Sequence, residues 1–315
     1  MARLVFMGTP EFAVPLLDAL TRTEHHIVGV YTRPDQPAGR GKQLQSSPIK
    51  QLALARGLPI FQPHTLRAPD TVAPLRALAP DLIIVAAYGL ILPREVLAIP
   101  PRGCVNAHAS LLPRHRGAAP IAAAILAGDA QTGVTLMQID EGLDTGPILM
   151  QRAIPIADDD TTGTLTAKLA HLAAEVMLEA LPRLLAGEIV PQAQDHARAT
   201  MCKPIKKEEG LIDWTRPASE IARRVRAFNP WPSAFTFWNG TMLKILRAYA
   251  SLQPMNAEAG RVLQLGKEIA VACGDGALIL REVQLAGKRA MTIEEFARGQ
   301  REFVGSTVSQ TQGKR

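Results

Sequence analysis

The stretch DLIIVAAY, residues 81–88, is apolar at almost every position. A strand with one face in water alternates apolar and polar residues. A continuous apolar run bounded by breakers is what a strand covered on both faces requires, as in a parallel sheet between helices. Outward from it, the N-terminal half repeats one pattern. RLVFMG (residues 3–8) reads as a short buried strand, PEFAVPLLDALTR as a helix, and HHIVGVYT as a second strand. IKQLALARG reads as a helix closed by Gly57, LPIFQP as a third strand and APDTVAPLRALA as a helix leading into residues 81–88. This βαβαβαβ order predicts a Rossmann-like, doubly wound α/β domain with a mostly parallel sheet. Such sheets bind ligands beyond the carboxyl ends of their strands.

After Cys104 the rhythm changes. CVNAHAS, TGVTLMQI and GPILMQRAIPI read as strands, APIAAAILAG as a helix, and residues 162–185 as a long helix capped by Gly187. Residues 190–209 are polar and basic without a period, and read as a linker. A helix over residues 218–227 follows, then short strands separated by turns. They include an Asn239–Gly240 hairpin signal, with a late helix near residues 292–297 and a polar tail after Val304 that is expected to fray. The expected organisation is a catalytic domain over 1–189, the linker, and a small OB-like β-barrel over 210–315.

Composition narrows the possibilities. With 315 residues, 47% hydrophobic and 20% charged, the chain has material for two cores and is no disordered or fibrous protein. No apolar run reaches the roughly 20 residues a membrane helix needs. The N-terminus lacks a signal-peptide pattern, and three separated cysteines without a CxxC pair offer neither a disulfide framework nor a zinc site, so a cytoplasmic location is expected. Residues 201–315 carry 18 Lys and Arg against 11 Asp and Glu, while residues 1–200 carry 17 against 18. A basic second domain beside a neutral first one fits a polyanionic partner such as nucleic acid.

Familiar cofactor motifs are missing. Gly8 stands alone in FMGTPEFA where a dinucleotide cradle needs GxGxxG, and PAGRGKQ departs from the phosphate loop at both ends. No metal-ligand cluster is present in the sequence. The chemistry sits in NAHASLLPRHRGAAP, residues 106–120, where Asn106, His108 and Ser110 alternate onto one face and RHRG supplies a basic turn. Some 30 residues on, DEGLDTG (140–146) is a second loop, with Asp144 able to face His108. An amide donor, an imidazole and a carboxylate are the parts for moving a carbonyl carbon onto an amine. The imidazole accepts the amine proton, the carboxylate stabilises its cation, and the amide donates to the oxyanion.

These segments resemble the 10-formyltetrahydrofolate-dependent formyltransferases. FMGTPEFAVPLLDAL, RPDQPAGRGK, AYGLILP, TGVTLMQIDEGLDTGPIL, IDW and RAFNPWP resemble, in order and over nearly the whole chain, the branch that formylates methionyl initiator tRNA for translation initiation. The resemblance implies that Asn106, His108 and Asp144 are catalytic. It implies that Ser110, Leu111, Leu112 and Pro113 line the folate site with Tyr88, Gly89 and Leu90. It also implies that Arg40, Lys42, Lys203, Lys206 and Lys207 meet tRNA. A Rossmann-like domain followed by a barrel-like tRNA-holding domain, no metal and a monomer complete the expectation. The alternative within the resemblance is a folate-dependent enzyme acting on a nucleotide-sugar amine. One departure stands out: Met201 and Cys202 replace the tyrosine and alanine expected before the lysine pair. The loop over residues 33–45 follows the second strand, and by resemblance engages the acceptor stem.

Overall fold

The computed structural model describes residues 1–38 and 43–311. Its contacts divide the chain into two compact units. One comprises Met1–Pro120, Gln131–Pro155 and Thr166–Cys202; the other comprises Ile121–Ala130, Ile156–Leu165 and Lys203–Arg315.

The first unit is built on seven strands: β1 (Arg3–Gly8), β2 (His26–Tyr31), β3 (Ile60–Phe61), β4 (Leu82–Ala86), β5 (Cys104–His108), β6 (Gln131–Gln138) and β7 (Ile148–Pro155). Their order is β7-β6-β5-β4-β1-β2-β3. The five strands β3-β2-β1-β4-β5 are parallel, and β6 and β7 add an antiparallel edge. All five residues of β4 are buried, as its unbroken apolar run requires. After β3 the chain crosses to the other side of β1, so β1 and β4 diverge in connection at their carboxyl ends. Thr9 Oγ1 donates to Tyr88 O there (2.9 Å), and Arg33 Nη1 donates to Gly89 O (3.1 Å).

The stretch read as a linker is held to the first unit at two points. Gln192 exchanges backbone hydrogen bonds with Ile148, and Met201–Cys202 pairs in parallel with Arg116–Gly117. The long helix runs over Thr162–Ala186 and is followed by Gly187 at φ +77°.

The second unit holds an antiparallel sheet of β8 (Ala234–Trp238), β9 (Thr241–Ser251), β10 (Val262–Leu265), β11 (Glu268–Ala272) and β12 (Ala277–Leu285), ordered β8-β9-β12-β11-β10, with β13 (Met291–Thr292) on β12. Asn239 and Gly240 take φ +46° and +71° and connect β8 to β9 as the Asn-Gly signal requires. Residues 305–309 of the tail are paired rather than frayed. Gly305 and Ser306 bond to Val262, Val308 bonds to Gly260, and Ser309 exchanges two bonds with Phe237. One short segment therefore satisfies both sheet edges, which would otherwise present unpaired backbone groups. Trp238, Phe296 and Phe303 fill the centre with edge-to-face contacts at 5.0–5.7 Å between ring centroids. No helix among the described residues is long and apolar enough to cross a membrane.

Candidate active site

Two loops of the first unit meet at the carboxyl end of β5. The strand stops at His108, because Ser110 turns away and its Oγ donates to Arg114 O (2.6 Å). Asn106 and His108, two residues apart on β5, share a face, with Asn106 half-buried and His108 6% exposed. Ser110 lies past the strand and is fully buried, so the alternation read from the sequence ends one step early. The turn after it is pinned by Thr135. Thr135 Oγ1 donates to Ser110 O (2.6 Å) and accepts from Leu112 N (3.1 Å) and Gln151 Nε2 (2.7 Å).

His108 Nε2 lies 3.0 Å from the carbonyl of His115. A carbonyl only accepts, so Nε2 carries the proton, and Nδ1 is the free lone pair of the neutral ring. Nδ1 faces Asp144 Oδ2 at 3.7 Å. Burial pushes the His108 pKa below its ordinary 6.5, against the opposing pull of the Asp144 charge and the His115 bond. The ring is therefore a neutral base at physiological pH. A proton gained at Nδ1 would be met by the carboxylate.

Asp144 is held in turn. Its Oδ2 accepts from Gly117 N (2.8 Å), and its backbone is left-handed (φ +53°). Gly117, at φ +115°, could not be another residue without strain: a Cβ there would lie 2.3 Å from Cys202 O. Asp140 Oδ1 closes the second loop by accepting from Gly142 N and Thr145 Oγ1.

The basic turn read into RHRG is only partly solvated: Arg114 is exposed, but the next two residues are not. His115 and Arg116 are 7% and 5% exposed. The Arg116 guanidinium is satisfied internally: Nε and Nη2 donate to Gln194 Oε1 (3.1 and 2.6 Å), and Nη2 also meets His196 Nδ1 (3.2 Å). Gln194, Thr135 and Gln151 were not legible as site residues. They lie 16–78 residues from their partners and belong to no motif.

Of the folate-lining candidates, Leu112 and Tyr88 are buried, Leu111, Leu90 and Pro113 are partly buried, and Gly89 is exposed at φ +82°. The loop after β4 meets the second loop through Arg94 and Glu141 (3.8 Å). Ile91 and Leu143, on these two loops, are 72% and 59% exposed. Lys203, Lys206 and Lys207 are exposed and belong to the second unit. Arg40 and Lys42 lie outside the described residues. Among the described residues no group of three or more His, Cys, Asp or Glu is placed to hold a metal.

Comparison with known proteins adds an independent finding. A family model described as "Formyl transferase" matches residues 2–181, and "Formyl transferase, C-terminal domain" matches residues 204–301. A methionyl-tRNA formyltransferase from Methylococcus capsulatus is 52% identical over 294 residues, 93% of this chain and 96% of that one. One from Pseudomonas syringae is 49% identical over 311 residues, 98% of each. Among solved structures, HypX from Aquifex aeolicus in complex with tetrahydrofolic acid aligns with a TM-score of 0.64 at 20% identity, over 96% of this chain and 48% of that one. That last likeness speaks to the fold.

Proposed function

This chain belongs to the formyl transferase family and, within it, to the methionyl-tRNA formyltransferases; on that premise we propose how its residues carry out the formylation of methionyl-tRNA. The donor is 10-formyltetrahydrofolate and the acceptor is the α-amino group of methionyl initiator tRNA. The observation that supports this most is the pairing of His108 Nδ1 with Asp144 while Nε2 is committed to His115 O.

In this reading His108 Nδ1 takes the proton that the amine loses as its nitrogen bonds to the formyl carbon. Asp144 stabilises the imidazolium so formed, and Asn106 donates to the oxygen that gains charge. The bond from the formyl carbon to N10 of the folate breaks, and the proton held at His108 is available to that nitrogen. Removal of one oxyanion donor costs on the order of 100–1000-fold in rate in other acyl transfers.

Ser110, Leu111, Leu112, Pro113, Tyr88, Gly89 and Leu90 form the folate wall. The exposed Ile91 and Leu143 support this, since they offer apolar surface to a flat heteroaromatic ring. Arg40, Lys42, Lys203, Lys206 and Lys207 contact tRNA phosphates or base edges. Residues 1–189 carry the chemistry, 190–209 connect, and 210–315 hold the tRNA, with the protein acting as a monomer.

A formyl-transfer assay with the folate donor tests the reading, comparing methionyl-tRNA, deacylated tRNA and a nucleotide-linked amino sugar as acceptors. Formylation of methionyl-tRNA alone is the expected result. Formylation of the amino sugar alone would overturn it.

A further inference from the structure

We infer that Gln194 is a positioning residue for the reaction, and that it acts by fixing the backbone of Asp144. The inference rests on the assignment of Asp144 as the partner of His108. Gln194 lies on the stretch between the long helix and Lys203, where the sequence shows no period, yet its side chain is 6% exposed. Its amide is saturated. Oε1 accepts twice from Arg116, at 3.1 and 2.6 Å. Nε2 donates to Asp144 O at 2.9 Å and to Gly146 O at 2.7 Å. The partners dictate which end is which, because a guanidinium only donates and a carbonyl only accepts.

No other common side chain of this length does the same. Glutamate lacks the donors, lysine lacks the acceptor, and Asn is one methylene short. The amide thus ties two loops into one body. Arg116 precedes Gly117, whose N–H grips the Asp144 carboxylate. Gln194 grips the Asp144 carbonyl from the other side. Asp144 sits at φ +53°, a conformation that costs energy for a residue with a side chain and persists where its surroundings over-determine it. Gly146 supplies the second anchor, and a Cβ there would lie 1.8 Å from Gln138 O, so this end of the loop has no room to relax. Buried, fully satisfied polar groups rigidify a site, and half-satisfied ones loosen it. With Gln194 absent, the Arg116 charge and two carbonyls lose partners together, and the Asp144 carboxylate is free to drift from Nδ1.

The experiment uses the full-length enzyme with four variants: Gln194→Met, Gln194→Glu, Asp144→Asn and the double variant Gln194→Met/Asp144→Asn. Gln194→Met keeps the volume and removes all four bonds. Gln194→Glu keeps the acceptor towards Arg116 and loses only the donors to the Asp144 loop. Each is expected to lower kcat by about 10- to 100-fold, the scale of a misplaced catalytic group, with KM for methionyl-tRNA within roughly twofold of wild type. In the Asp144→Asn background, Gln194→Met should lower kcat by a further factor near one, because both changes act through one group. A lowered melting temperature with unchanged kcat in both Gln194 variants would make Gln194 merely structural and overturn the inference. Independent, multiplicative losses in the double variant would overturn it too. Asp144→Asn alone tests the underlying assignment: full activity there defeats the catalytic reading, whereas a large loss there with none at Gln194 defeats only the inference.

Discussion

The two units put polarity in opposite places. In the first, Thr32, His108, Ser110, His115, Arg116, Thr132, Thr135 and Gln194 are buried, and six of them crowd around the end of β5. In the second, the interior is aliphatic and aromatic, Asp160, Ser233 and Thr236 are the buried polar side chains among the described residues, and its basic side chains are largely at the surface. Burying a polar group is unfavourable unless its partners are in place. On the proposed mechanism, the first unit accepts that penalty where a proton is held and moved. In the same proposal the second has no such task, and its apolar core with charge outside suits a docking platform.

If that contrast is right, substitutions in the two units should fail differently. The largest effect belongs to the first. His108→Ala and Asp144→Asn should each lower the single-turnover rate by about 100–10,000-fold, the usual worth of positioned acid–base catalysis, with tRNA binding nearly unchanged. The pH profile gives the sign. Burial holds the His108 pKa below 6.5, so the part of the acidic limb that His108 sets should lie below that value. The charge of Asp144 raises the His108 pKa while the nearby His115 ring lowers it. Residual activity of Asp144→Asn should therefore persist to still lower pH. A limb that moves upward would show that His108 is not the base being read.

Phe303→Ala is the counterpart in the second unit. It removes a ring that contacts both Trp238 and Phe296, and should cost about 3–5 kcal/mol of stability, visible by calorimetry. At temperatures where the variant stays folded, its single-turnover rate with saturating tRNA should match wild type. A rate loss there would blur the contrast.

Thr135→Val sharpens it from the other side. It is near-isosteric, yet it breaks three hydrogen bonds and should cost about 1–3 kcal/mol, with a measurable rise in KM for the folate donor because the turn Ser110–Pro113 is released. The smallest effect falls on Lys203, Lys206 and Lys207. Alanine at any one should leave the rate intact, and should reduce the salt dependence of tRNA binding by about one unit of slope where the lysine meets a phosphate.

The sequence is most readable where local pattern and tertiary role coincide. The apolar run of β4 announces burial on both faces, and Asn239–Gly240 announces its hairpin. Asn106, His108 and Asp144 stand in recognisable surroundings, and the fold brings the last two within 3.7 Å. What supports them is unreadable for a physical reason. A carbonyl is present at every residue, so nothing marks His115 O as the group that sets the His108 tautomer. Gln194 looks like any polar residue of a connecting stretch until its partners, 48–78 residues away, are folded against it. Arg116 looks solvated for the same reason: its partners arrive from the far end of the unit. The tail at 305–309 is held largely by backbone bonds to both sheet edges, and a run of polar residues does not announce those.

The discontinuity of the second unit bears on how the protein is made. Residues 121–130 and 156–165 leave the ribosome well before residues 203–315, yet they belong with them. Arg223 donates to Leu126 O, Arg226 to Ala157 O and Asp160 O, and Thr162 to Ala227 O. During synthesis those two early segments must wait for the helix over Ala218–Ala227 that bonds to them, and the sheet edges stay open until residues 305–309 emerge. Non-local pairing of this kind is slow and leaves strand edges bare in the meantime. The nascent chain is therefore most exposed to misassembly late in translation, after the loops at the end of β5 already exist, and a cut at the junction near residue 203 would strand both early segments rather than yield two clean halves.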